Sequence, residues 1–452
     1  MSLISLRAAA VALGLCLLLR RLPAKAGPTA LLAGSLLFLA GTPVALALHA
    51  GHTALTLLLA IPLRRRQGRG RALLWAAVLL ECALIPLLRR WGGFSCAALV
   101  HIGYLLDARR GGADAPLAAR AAALTYFPSL REGPIVDASA LAGQLLAPEP
   151  LTWERGSRAL LRVVTGLAKK LIVADRLAGF VEAAFAAPGA CCAGVLWLAL
   201  LAYGMQIYMD FSGCMDVALG LSALLGVDLP ENFSRPYFAA GCAEYWRRWH
   251  ITLGGWFRAH CFYPLAASRP ALALGGRLAK RCGGVRLRRA CAMALPLLAT
   301  WALVGLWHGF APHYLAWGLV NGLAILAGTA LESGKPTLPR GLRVARTFFI
   351  ISLIRVLFRA GSLKDAGAFY AGLLGFGGAG GWLLLPAAAD IAVAALFAAL
   401  FMALEWRAER HGEGHPSVPA ALALCALGIA AVCILGRYGP GYDPVAFYYN
   451  RF

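Results

Sequence analysis

Met293-Ala294-Leu295-Pro296-Leu297-Leu298-Ala299-Thr300-Trp301-Ala302-Leu303-Val304-Gly305-Leu306 carries no charged residue, and it runs directly into Trp307-His308-Gly309. A continuous apolar run of this kind is a membrane-helix segment, and an ionisable ring embedded at its end is a functional candidate. Working outward, comparable runs recur at residues 28–49, 72–88, 194–209, 315–331 and 391–404. The whole chain of 452 residues is 60% hydrophobic and only 14% charged, with a mean hydropathy of +0.69. This composition excludes an ordinary soluble domain. The reading is an all-α, polytopic integral membrane protein with roughly ten to thirteen helices that span or partly enter the bilayer. The runs are continuous and lack a two-residue alternation, which excludes a β-barrel.

The formal charge of +22 does not point to nucleic acid. Its basic residues fall in short clusters between apolar runs, at Arg20-Arg21, Arg64-Arg65-Arg66, Arg89-Arg90, Arg109-Arg110, Lys169-Lys170 and 286–289, as cytoplasmic loop anchors do. The segments around Arg89 and Arg109 flank one short stretch, so a re-entrant element is expected there. Residues 7–19 resemble a signal peptide, but Arg20-Arg21 stands where small residues are needed for cleavage. The twelve cysteines show no C-x-x-C spacing and most lie in apolar segments, so neither a disulfide framework nor a metal site is expected. His49/His52 and His411/His415 have only loosely ligand-like spacing. One membrane domain covering 1–452 is expected, without an internal repeat.

Three less apolar regions, 128–158, 226–247 and 266–290, interrupt this pattern. Irregular backbone at membrane depth needs protein or a water-filled cavity around it, so a polar hollow is expected beside Pro230-Glu231-Asn232. That loop leads into Tyr245-Trp246-Arg247-Arg248-Trp249-His250. A continuous helix over 244–265 would align Arg247, His250, Gly254 and Arg258 on one stripe, with Arg247 and Arg258 as fork-shaped anion contacts for an acidic donor. His308 lies between Gly305 and Gly309, whose small size leaves space for a substrate at the ring, and Pro312 should break the helix at His308. A neutral imidazole there can take a proton from an attacking hydroxyl. Gln206 and Asp210 share a helical face, and Asp210 and Asp216 need partners such as Arg235, Arg247 or Arg248. No G-x-S-x-G elbow accompanies the serines.

Seven segments, in order, carry a resemblance: Tyr104-Leu105-Leu106-Asp107; Tyr126-Phe127-Pro128 through Gly133-Pro134-Ile135; Lys169-Lys170 through Ala174-Asp175-Arg176-Leu177; Gln206-Ile207-Tyr208-Met209-Asp210-Phe211-Ser212-Gly213; Pro230-Glu231-Asn232-Phe233 with Arg235-Pro236-Tyr237; Trp246-Arg247-Arg248-Trp249-His250; and Gly305-Leu306-Trp307-His308-Gly309. From about residue 95 to 365 the chain resembles the membrane-bound O-acyltransferase (MBOAT) family, in its bacterial AlgI/DltB-like branch. The resemblance implies tilted helices around a central funnel and acyl transfer without a metal or a tightly bound cofactor. The substrate would be a cytoplasmic acyl thioester, acetyl-CoA or an acyl-carrier protein. His308 matches the family's catalytic histidine and His250 its inner histidine. Trp307, Arg247, Arg258, Asp210, Gln206 and Asn232 would line the substrate path. Residues 447–452 resemble an aromatic C-terminal motif in which Tyr449, beside Tyr448, would relay the acyl group.

The implied partners are the donor or its carrier protein, membrane lipid, an extracytoplasmic acyltransferase of the AlgX/DltD kind, and a polysaccharide or teichoic-type acceptor. The implied location is the bacterial inner membrane. Ala266-Ala267-Ser268-Arg269 departs from the Gly-Gly-Asn-Arg stretch usual in AlgI-like chains. Acetyl and D-alanyl cargo therefore both stay open at this point, and a proton-linked transporter and a purely structural assembly subunit are the readings from other classes, though no paired broken helices favour the transporter.

Overall fold

The computed structural model describes residues 3, 5–65, 70–88, 93–112, 115–131, 133–331 and 338–438. Among them the fold is helical, and the only strand-like pairings are two isolated bridges, Cys191 with Gly380 and Phe233 with Trp249. The helices that matter below are α1 Leu6–Leu19, α2 Gly27–Leu39, α3 Pro43–Arg65, α4 Arg71–Leu88, α5 Phe94–Arg110, α6 Trp153–Ala168, α7 Ala193–Leu224, α8 Cys242–Arg248, α9 Ile251–Phe257, α10 Val285–His308, α11 Pro312–Leu331, α12 Arg340–Arg359, α13 Ala388–His411 and α14 Val418–Leu435. Seven of the described helices, α3, α4, α7, α10, α11, α13 and α14, are long and apolar enough to cross a membrane, and α1 and α2 hold shorter apolar segments. The chain is a polytopic all-α membrane protein.

Local chemistry explains several boundaries. The apolar run over 28–49 divides into α2 and α3, because the ring of Pro43 cannot continue a helix past Leu39 and instead opens the next one. Ser5 and Thr152 accept backbone N–H bonds from Ala8 and Arg155 and so cap α1 and α6. The helix that ends in His308 stops there and Pro312 starts α11, the break expected from the proline.

The chain divides into two compact units, one formed by Met1–Ile172, Asp210–Glu231 and Gly414–Phe452, the other by Val173–Met209 and Asn232–Glu413. In the first, α6 crosses the second half of α7 at glycines: a Cβ on Gly166 would lie 2.4 Å from the carbonyl oxygen of Gly213, and one on Gly213 would lie 2.7 Å from that of Gly166. Two lysines follow at once, where the chain widens into a π-helical turn over Lys169–Ala174. Lys170 Nζ lies 2.6 Å from Asp210 Oδ1, a pair almost wholly buried, and Lys169 Nζ lies 2.8 Å from Asp216 Oδ2. Arg162 also reaches Asp216 at 3.1 Å. The partners expected for these carboxylates, Arg235, Arg247 or Arg248, are not the ones that bind them. Adjacent α6-side cations lie within reach through the glycine crossing, whereas Arg235 and Arg248 are committed to other acids.

A polar hollow in this first unit takes in Asp228 and Glu231 from the 226–247 region. Its volume is ≈ 500 Å³, and its wall includes Thr152, Arg155, Arg158, Arg162, Asp228 and Glu231. Arg155 Nη2 binds Asp228 at 2.7 Å, and Arg162 holds Glu231 with both terminal nitrogens at 2.6 Å. Burial opposes the charge on Arg162, but the hydrogen bonds it donates to Glu231 and the charge of nearby Asp216 outweigh burial and raise its pKa.

Candidate active site

His250 and His308 both belong to the second unit. The expected continuous helix over 244–265 does not form: α8 ends at Arg248 and α9 starts at Ile251. Backbone pairing with an upstream segment takes the groups a helix would have used. Ser234 N donates to Arg248 O at 2.9 Å and Ile251 N donates to Asn232 O at 3.0 Å, around the Phe233–Trp249 bridge. Between those two bonds His250 adopts φ 47° and ψ 54°, a left-handed conformation costly for a residue with a Cβ. The Arg247–His250–Gly254–Arg258 stripe is therefore overturned. Arg247 and Arg258 are both exposed, Arg258 at the start of a π-helical turn, whereas His250 is buried.

Asn232 settles the state of the His250 ring. Its Oδ1 accepts from Thr252 N at 3.1 Å and Thr252 Oγ1 at 3.0 Å, and lies 3.0 Å from His250 Nδ1. A backbone N–H can only donate, so the amide atom facing it is oxygen and His250 Nδ1 must carry the proton. In the neutral ring Nε2 is then the basic nitrogen. Asn232, named from sequence only as a substrate-path residue, thus orients the imidazole.

The same loop is tied down by charges on α13 and α12. Glu409 receives Arg235 at 3.1 Å, Arg248 at 2.9 and 3.0 Å and Arg340 at 2.7 Å. Its hydrogen bond raises the pKa of Arg248 against the opposing effect of burial, with Glu244 adding to the rise. Arg355 is buried on α12 with its guanidinium 5.1 Å from the Tyr237 ring, 5.5 Å from Tyr245 and 4.9 Å from Trp249, and it donates to both phenols. Neither Glu409 nor Arg355 stood out in the sequence. Each sits in an otherwise ordinary helix, and most of its partners lie more than a hundred residues away.

His308 closes α10 and is buried. Aromatic edges surround it: Trp307 at 4.7 Å between ring centroids, Phe358 at 4.9 Å and Trp317 at 5.2 Å. Trp317 also meets Trp246 of α8 at 5.7 Å, and Trp246 Nε1 donates to Asn321 Oδ1 at 3.0 Å. The two histidine-bearing segments are therefore joined through shared indole packing. Gly305 does not leave room at the His308 ring as expected. A Cβ on it would lie 2.5 Å from Tyr314 O, and one on Gly318 would lie 2.3 Å from Trp301 O. These glycines let α10 and α11 touch backbone to backbone, and that contact positions the ring. Gln206 is buried on the part of α7 in this unit. Asp210 falls in the other unit, paired with Lys170. Tyr448 and Tyr449 lie outside the described residues.

Residues 104–274 match the model of the MBOAT, membrane-bound O-acyltransferase family. They are an MBOAT domain. His250 lies inside the matched residues and His308 beyond them. The chain is 34% identical over 289 residues to the probable alginate O-acetylase AlgI of Pseudomonas syringae pv. tomato, covering 63% of this chain and 52% of that protein. It is 30% identical over 261 residues to the peptidoglycan O-acetyltransferase of Helicobacter pylori, covering 56% of this chain and 46% of that protein. With the teichoic acid D-alanyltransferase of Bacillus subtilis it shares 30% identity over 125 residues, 27% of this chain and 29% of that protein. The chain carrying the MBOAT domain spans about half the length of the AlgI relatives it matches.

Proposed function

We propose that this chain is a membrane O-acyltransferase that takes an acyl group, acetyl in the leading reading, from a cytoplasmic thioester and delivers it across a bacterial inner membrane for O-acylation of a cell-envelope polysaccharide. The observation that carries the proposal is His308: a buried imidazole at a helix end, set by a glycine-mediated contact of two apolar helices and ringed by Trp307, Trp317 and Phe358. In the proposed reaction His308 removes the proton from an acceptor hydroxyl, the oxygen attacks the thioester carbonyl, and the tetrahedral intermediate expels the thiolate, which is then protonated. Tyr449 is the proposed acyl relay. Its phenol, with an ordinary pKa near 10, needs such a base. His250, held by Asn232, shapes the donor side, with Trp307, Gln206, Arg247 and Arg258 along the path. The reaction needs no resident cofactor, since the thioester supplies the activated acyl group. An extracytoplasmic acyltransferase would complete transfer to the polymer.

D-alanyl transfer toward a teichoic-type polymer is the second reading, favoured by the Ala266-Ala267-Ser268-Arg269 departure and by the teichoic acid D-alanyltransferase match. Proteoliposomes holding the full chain, given labelled acetyl-CoA or D-alanyl carrier protein, separate the two by which label reaches Tyr449 or an acceptor. His308→Ala should abolish transfer while leaving the melting profile intact. Retained transfer in that variant would sink the proposal.

A further inference from the structure

Three groups outside the proposed reaction converge in the first unit. His52 of α3, Glu81 of α4 and His101 of α5 are 5%, 1% and 1% exposed. One ligand atom from each lies within 4.8 Å of the others. Two of the three helices are apolar enough to cross a membrane, where a carboxylate is expensive and calls for a compensating charge. The compensation seen is one imidazole, His52 Nε2, 2.6 Å from Glu81 Oε2. Thr56, also buried, stands 3.4 Å from Glu81 Oε1 and 2.7 Å from His101 Nδ1. The two imidazoles stack at 3.7 Å between centroids with a 13° interplanar angle, and Phe94 covers the His52 ring at 4.7 Å. The other nitrogen of His52, Nδ1, is buried and makes no hydrogen bond, which in a native fold calls for an occupant or ion.

We propose that His52, Glu81 and His101 form a structural binding site for a divalent transition metal of the zinc class, linking α3, α4 and α5. Two imidazoles and one carboxylate suit zinc, whereas calcium and magnesium demand more oxygen donors. Zinc bonds of about 2.0–2.2 Å put neighbouring ligands roughly 3.3 Å apart. Binding would draw the three groups in from within 4.8 Å to that spacing and tilt the rings out of their stack, with Thr56 close to Glu81 and His101. The ion offsets the carboxylate charge inside apolar helices and draws the imidazoles into use. The role is structural, since the proposed chemistry belongs to His308 and His250 of the other unit. Spacing along the chain paired His52 with His49, whereas the fold brings it to Glu81 and His101.

The test uses the full chain, purified in detergent through a tag without histidine, with metal measured by elemental mass spectrometry before and after equilibration with micromolar Zn²⁺. About one tightly held equivalent per chain is expected, absent from Glu81→Gln and His101→Ala, together with a lower melting temperature on chelation in the wild type only. Wild-type protein that holds no zinc after equilibration overturns the proposal, and so do variants that keep the wild-type content. Should the variants fail to fold, Co²⁺ substitution of the wild type decides. Visible bands of a four-coordinate nitrogen/oxygen site support it. Their absence, or the sulfur-to-metal absorption of cysteine ligation, refutes it.

Discussion

Removing the Asn232 side chain tests the link between backbone pairing and the state of His250. In Asn232→Ala, Oδ1 no longer accepts from Thr252 N, Thr252 Oγ1 and His250 Nδ1. The threonine hydroxyl can rotate toward another acceptor, whereas the backbone N–H of half-buried Thr252 and the ring N–H of buried His250 lose this one. At about 1–3 kcal/mol for each group that loses its acceptor, the fold should lose roughly 2–6 kcal/mol. The backbone bonds Ser234–Arg248 and Ile251–Asn232 survive the change, so the left-handed turn at His250 stays formed while its ring loses orientation. A misplacement of this kind costs on the order of a hundredfold in turnover. Asn232→Asp keeps an acceptor in place and should recover most of the stability. The assays are melting in detergent and acyl transfer in proteoliposomes with kcat and KM separated. Wild-type melting and wild-type turnover in Asn232→Ala would refute the argument that this amide fixes the ring.

Three further outcomes follow from the packing. Asp210→Asn removes the carboxylate charge 2.6 Å from buried Lys170 and should cost about 3–5 kcal/mol, whereas Lys170→Met combined with Asp210→Leu should restore much of it; melting of the single and double variants checks this. Gly318→Ala drives a Cβ toward Trp301 O, 2.3 Å away, so α10 and α11 must part at about 1–3 kcal/mol, and transfer should fall with melting because Trp317 moves against His308. Glu409→Ala releases Arg235, Arg248 and Arg340 together, so its melting temperature should drop further than that of Arg340→Ala, a comparison made in the same detergent.

Much of this protein could be read from its sequence alone. Uninterrupted apolar runs specify helices that bury in lipid, and the ring of Pro312 forbids a helix from continuing past His308, because both effects depend on neighbouring residues. The same local logic failed where distant segments compete for the same groups. Helical spacing put Arg247, His250, Gly254 and Arg258 on one stripe, yet residues 232–234 capture the backbone of 248–251 and turn His250 left-handed. Spacing also read Gly305 as room beside His308, whereas it is the contact where α11 presses against α10. Charge alone could not select Lys170 over Arg235 for Asp210, since that choice rests on which cation the glycine crossing of α6 and α7 brings within 2.6 Å. The sequence determined the long apolar helices and set His308 in apolar surroundings. Tertiary structure decided the orientation of those rings and the partner of each buried charge, because hydrogen bonds and ion pairs between segments tens to hundreds of residues apart leave no periodic mark on either one.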